Sequence, residues 1–271
     1  MTLRLSILFI GILFLSSCEE MFDSGEIITS DYEPELNVYG FISFDNLKPS
    51  FVYVHRTLSL DENPNDYSPY FVNDAEVFII DSLGNSNPFQ LNENSSNETY
   101  EEPDGFVPQF DAYYTLEVAA QNGMSITGTL HTPPEPILLV DQIPEIIYPD
   151  SLFTLKWNTV SDAIAHIKVV SANLSGCYIN KTAYFENGET EWTTKIFSCA
   201  VEGINNPDNL SIQLTFMDIN YYDYFVAYDD DNFLNFIMGI SGNTQDAFGV
   251  EGGLGVFGSY ATDIVILPFD P

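Results

Sequence analysis

Three cysteines, three histidines and two acidic clusters are the side chains of this 271-residue chain best placed to do chemistry. The acidic clusters are DENPND (61–66), with Asp61 and Asp66, and YDDDN (228–232), with Asp229, Asp230 and Asp231. Calcium takes several oxygen ligands, so both are candidate calcium loops. Neither has the D-x-[DN]-x-[DN]-G spacing that makes such a loop specific. Solvated acidic loops are the simpler reading, and no cofactor is expected. His55, His131 and His166 lie far apart in sequence, each in a strand-like run. There is no H-E-x-x-H and no G-x-S-x-G, so neither a zinc protease nor an esterase elbow is written here. Gly253, Gly255 and Gly258 spell a literal G-x-G-x-x-G, but too little chain follows them for a βαβ unit. A tight turn or bulge beside packed aromatics is the expectation there. Nothing points to catalysis, and the chain is read as a non-enzyme.

The cysteines separate by position. Cys177 and Cys199 are 22 residues apart. In an oxidising compartment they are expected to form a disulfide worth roughly 3 kcal/mol by loop entropy, with two free buried thiols as the alternative. Cys18 ends an N-terminal segment built from Arg4, an apolar run from Leu5 to Leu15, and Ser16-Ser17. That is the layout of a secretory signal peptide. The run is too short for a spanning helix, which needs about 20 apolar residues.

Leu15-Ser16-Ser17-Cys18 resembles the bacterial lipobox. The resemblance implies cleavage after residue 17 and acylation of Cys18, so the chain is expected to meet the membrane through a lipid anchor. Glu19, Glu20, Asp23 and Glu26 follow at once. They resemble the acidic tags that send lipoproteins of Bacteroidetes-type bacteria to the cell surface. The expected location is therefore the outer membrane, lipid-anchored and surface-exposed, with its periplasmic face as the alternative.

Charge narrows the partners. Beyond residue 17 there are 40 acidic residues and six basic ones, a net charge near −34. Such a field repels nucleic acid and anionic headgroups, so neither is an expected partner. With 45% hydrophobic and 14% aromatic residues, the chain has ample material for packed cores.

The elements that would carry these residues are strands. ELNVYGFISF (35–44), SFVYVHRTL (50–58), AEVFIID (75–81), YYTLEVAA (113–120) and SITGTLHT (125–132) are short β-rich runs between turn residues. TPPEP (132–136) is a stiff break. A second series follows in SLFTLKWNTV (151–160), HIKVVSA (166–172) and LSIQLTFMDI (210–219). Tyr221, Tyr224, Phe225 and Tyr228 share one helical face, best explained by packing on the neighbouring sheet. YATDIVIL (260–267) reads as a buried strand.

The expected fold is all-β: two tandem β-sandwich domains, immunoglobulin-like or fibronectin type III-like, over 35–133 and 134–271. A signal peptide (1–17) and an acidic linker (18–34) precede them, and a helical insertion near 220–237 interrupts the second. LNVYGFIS (36–43), NDAEVFIID (73–81), PDGFVPQFDAYYTLEV (103–118), the TPPEP break, YYDYF (221–225) and EGGLGVFGSY (251–260) resemble, in order, a family of Bacteroidetes lipoproteins of unknown function. These are often encoded beside TonB-dependent outer-membrane receptors. The resemblance implies an address and a fold type but no activity; the leading expectation is a non-enzymatic accessory or binding protein, with such a receptor in nutrient uptake as the partner that the family's gene neighbourhood implies. An adhesive or envelope-structural role is the alternative, and a surface hydrolase a more distant one.

Overall fold

A computed structural model of the protein describes residues 33–44, 48–58, 70–92, 98–171, 178–186, 188–198, 207–227 and 247–269. Cys18, Cys177, Cys199, Asp61, Asp66, Asp229, Asp230 and Asp231 all lie outside the described residues, as does Tyr228.

The fold is all-β. Its strands are β1 (Leu36–Ser43), β2 (Phe51–Arg56), β3 (Glu76–Asp81), β4 (Ser86–Asn92), β5 (Thr99–Glu101), β6 (Tyr113–Ala119), β7 (Ser125–His131), β8 (Leu152–Lys156), β9 (Ile164–Ser171), β10 (Asn180–Phe185), β11 (Glu191–Lys195), β12 (Asn209–Met217), β13 (Ala247–Phe248), β14 (Val250–Glu251) and β15 (Leu254–Pro268). One helical turn, α1 (Ile219–Tyr222), follows β12 and runs on as a π-helical turn over Asp223–Ala227.

Two hydrophobic cores organise these strands. The first gathers Leu36, Val38, Val52, Val77, Ile79, Leu116 and Ile126. The second gathers Phe153, Leu155, Trp157, Ile167, Val169, Ile212, Leu214 and Phe216. Alternation explains the assignment: in β1, Leu36, Val38, Gly40 and Ile42 are buried while the residues between them are only half-buried. Each fully buried aliphatic side chain is worth about 1.5–3 kcal/mol relative to exposure.

Around the first core, β15–β1–β2–β5 forms one layer and β4–β3–β6–β7–β14 the other, joined where β4 pairs with β5. Around the second, β10–β9–β12–β15 faces the two-stranded β8–β11 sheet. That second pair has the C–F–G against B–E arrangement of an immunoglobulin-type sandwich, with Trp157 buried at the end of β8.

Chain order does not divide the cores cleanly. β15 serves both: Asn37 to Ser43 of β1 pair in parallel with Leu254 to Tyr260, and Asn209 to Met217 of β12 pair antiparallel with Pro268 to Tyr260. Val250 and Phe257 therefore pack in the first core. Phe257 is fully buried between glycines: a Cβ on Gly40 would come within 2.9 Å of its ring, and one on Gly128 within 3.2 Å. The expectation that 260–267 is buried throughout is corrected. Val265 and Leu267 pack on the second core, but Ile264 and Ile266 face outward and are 55% and 61% exposed. Only one face of a sandwich sheet meets the core, so alternate residues point away from it.

Candidate functional site

The insertion after β12 is built on Asp218. This residue is 2% exposed and caps α1, accepting from the backbone N–H groups of Asn220 (2.8 Å) and Tyr221 (3.2 Å). Its other carboxylate oxygen accepts from the backbone N–H of Ser259 and, at 3.1 Å, from Ser259 Oγ. Burial pushes the Asp218 carboxyl up to about 6, against hydrogen bonds from Ser259, Tyr221 and Asn220 that pull it down. Asn220 adds a second fastening: its amide donates to the carbonyls of Thr129 (3.2 Å) and Phe257 (3.0 Å). The helix start is thus tied to β15 and β7 at once.

What this tether positions is an aromatic layer on the outer face of β1 and β2. Tyr221, Tyr224 and Phe225 come down on outward-facing residues of β1: Tyr221 and Phe225 lie 5.8 and 5.5 Å from Phe41, and Tyr224 lies 5.7 Å from Tyr39. This bears on the helical stripe directly, because those three residues do share the face that meets the sheet. The layer continues away from the helix through Phe41–Phe51, Phe51–Tyr53, Tyr53–His55 and His55–Phe71, with ring centres 5.2 to 6.0 Å apart. Successive rings are inclined by 47° to 89°, so they interlock rather than forming a flat platform. Tilted and edge-to-face pairs of this kind add about 0.5–1.5 kcal/mol each beyond their area. Outward positions of an antiparallel sheet are ordinarily polar. Here they are aromatic and half-buried.

The histidines do not share a site. His55 stands in the aromatic row, where burial lowers its pKa. His131 stacks on Tyr113 and lies 3.2 Å from Asp111. His166 stacks on Tyr184 and bonds Thr182 Oγ1, with burial and the nearby Lys168 charge lowering its pKa. Among the described residues no three His, Cys, Asp or Glu side chains gather as a metal site would require. A cleft of about 260 Å³ between β7 and β14 is lined by Thr127, Gly128, Thr129, Gly249, Val250 and Glu251. It falls below the roughly 300–1,000 Å³ of ordinary ligand pockets and brings a single carboxylate. The glycines of 253–258 lie at the start of β15. Gly255 has φ +115° and passes so close to β1 that a Cβ would run into the Val38 carbonyl oxygen. A strand continues after them, not a helix, so the strand–turn–helix context of a dinucleotide fingerprint is not what these glycines form.

Asp218, Asn220 and Ser259 were not singled out by the sequence. A signal was present: an Asp directly before an aromatic helical stripe is a helix N-cap pattern. Its link to Ser259 spans 41 residues and has no sequence signature. The aromatic outer face also left a trace, since YGFISF and SFVYVH are apolar in both alternating phases.

A family profile described as a domain of unknown function, DUF4249, matches residues 24–264. No curated protein matches the chain. Among solved structures, one similar chain is a DUF4785 family protein from Legionella pneumophila, 13% identical with a TM-score of 0.27, the match covering 68% of this chain and 52% of that one. The chain thus spans about half the length of that structure. Another is the FN1–FN3 domains of chicken CNTN1, 11% identical with a TM-score of 0.31, covering 86% of this chain and 67% of that one.

Proposed function

Because the chain belongs to the DUF4249 family, whose description assigns no activity, we propose a function from its own surface: a non-enzymatic binding or accessory protein of the outer membrane. In this reading Cys18 carries the lipid anchor and the body is displayed at the cell surface. Its partner is a TonB-dependent receptor engaged in nutrient uptake. The observation that supports binding is the aromatic layer. Tyr and Phe are enriched at protein interfaces, where they supply large contact area at low entropic cost. A row from Phe41 to Phe71 on sheet positions that water would normally claim suits such a contact. The anchor and the receptor are implied by the lipobox resemblance and by the family's usual gene neighbours.

The test is affinity capture of the detergent-extracted, full-length protein from its own membrane. A receptor is expected to co-elute with the wild-type chain. Tyr53→Ala, on the part of the row away from the helix, is expected to reduce its recovery at least tenfold. Recovery of no membrane partner, or equal recovery by Tyr53→Ala with an unchanged melting temperature, overturns this use of the face.

A further inference from the structure

The first strand and the last lie side by side and run the same way. β1 pairs in parallel with β15 over seven consecutive positions, from Asn37 with Leu254 to Ser43 with Tyr260. β1 is an inner strand: its other edge pairs antiparallel with β2, from Leu36 with Arg56 to Phe41 with Phe51. β15 runs on past β1 to Pro268, paired with β12 from Tyr260 onward. A pull on the chain ahead of Leu36 therefore enters β1 at its N-terminal end, and a load on the second core enters β15 beyond Tyr260. Because the two strands are parallel, those forces oppose each other along the strand axis. From the level of Asn37 to Pro268, at about 3.3 Å per residue, the points of load are about 45 Å apart along the strands and about 5 Å, one strand spacing, across them. The force is almost wholly in line with the ladder, so its hydrogen bonds are loaded together instead of opening in turn.

Side chains resist the same sliding. The Phe257 ring fills the space beside Gly40, where a Cβ would come within 2.9 Å of it. A slip of one residue would turn the buried face of β1 outward, so the smallest tolerable step is two. Drawing β1 two positions toward its N-terminus brings Ile42 to the place of Gly40, where the ring leaves no room for it. The helical insertion holds both strands from outside. Asp218 fastens it to Ser259 of β15, while Tyr221, Tyr224 and Phe225 pack against Tyr39 and Phe41 of β1. We infer that β1 and β15 form a force-bearing joint, through which the fold carries a load on its second core against tension from its N-terminal side. This rests on reading the protein as a lipid-anchored accessory, because an anchor at Cys18 makes the N-terminal side the fixed one. It gives that reading a mechanical role: the body keeps a bound partner at the membrane while the partner is pulled.

The test is single-molecule force spectroscopy on the full mature chain in two pulling geometries. Clickable amino acids at exposed Glu33 and exposed Glu251, and a tag at the C-terminus, supply the handles. Pulling Glu33 against the C-terminus loads the β1–β15 ladder along its length. Pulling Glu33 against Glu251, which lies just ahead of β15 at the same end of the ladder, opens it one pair at a time. Forced unfolding reads the barrier and not the equilibrium stability, so one fold should give a rupture force roughly twofold or more higher in the first geometry at equal loading rate. Both cores should be lost in that single step, because β15 serves both. Equal forces in the two geometries overturn the inference, as does release of one core at low force with the other still folded. Intact mass of the protein from its native membranes separates the two readings. An acylated Cys18 with equal forces keeps the anchor and overturns the joint alone. An unmodified Cys18 overturns the anchor reading, and with it this role, at any force.

Discussion

The Asp218 carboxylate holds Ser259 twice, through the backbone N–H and through Oγ, while its other oxygen caps α1. One buried side chain therefore joins the helical insertion to the strand shared by both cores. Asp218→Ala would leave the Ser259 N–H and two helix-start N–H groups without this acceptor. Loss of a cap costs about 1 kcal/mol and each stranded buried donor about 1–3 kcal/mol. The variant should lose roughly 3 kcal/mol by urea unfolding, and Ser259→Ala clearly less, since it keeps the backbone donor.

The same residue makes stability depend on pH in a particular direction. Burial raises the folded carboxyl from 3.8 to about 6. Between those values the folded state binds a proton that the unfolded state has released, so this group's contribution is greatest below pH 4 and is lost as pH rises through 6. The difference corresponds to roughly 3 kcal/mol. Unfolding free energies of wild type and Asp218→Asn, measured from pH 4 to 7, should show wild type losing ground to the variant as pH rises. A flat difference over that window would mean the carboxyl titrates normally.

Glycines of positive φ should respond differently according to what surrounds them. Gly84 (φ +84°) faces open space, so Gly84→Ala should cost only about 1 kcal/mol of backbone strain. Gly255→Ala combines φ +115° with a clash against the Val38 carbonyl and should be far worse, about 3 kcal/mol or more. Phe257→Ala, which empties the space between Gly40 and Gly128, should cost about 3–5 kcal/mol. Thermal melts of the three variants rank them directly.

Because β15 pairs with β1 in one core and β12 in the other, the two cores should open together. Hydrogen exchange followed by mass spectrometry on the full chain should show β1, β12 and β15 losing protection as one unit. In Trp157→Ala, damaged only in the second core, protection of Leu36–Ser43 should fall as well. Retained protection of β1 in that variant would show two independently stable sandwiches.

The cysteines give a covalent test. Intact mass should find residues 1–17 removed and Cys18 acylated. Cys177 and Cys199 should resist alkylation until reductant is added. A free thiol at either position removes the disulfide, and an unmodified Cys18 removes the anchor.

Much of the local structure was legible without coordinates. β1, β2, β6 and β7 announce themselves by alternation, and Tyr221, Tyr224 and Phe225 by helical spacing, because those periods are set by backbone geometry alone. The outward exposure of Ile264 and Ile266 was not legible. An apolar β-branched run reads as buried on both faces, and only the partner layers reveal that one face has no cover. The aromatic layer shows the converse: Tyr39 and Phe41 look like surplus apolar residues until the helix is seen lying on them.

The sequence by itself determined the β class, the start of the helical segment and a strongly acidic charge, since each follows from composition or from neighbours a few residues apart. Tertiary structure alone decided that the final strand completes both cores, that Asp218 reaches Ser259, and that Ile264 and Ile266 face outward. Those outcomes depend on contacts between segments tens to hundreds of residues apart, whose pairing is chosen by the summed packing of the whole chain and leaves no local mark.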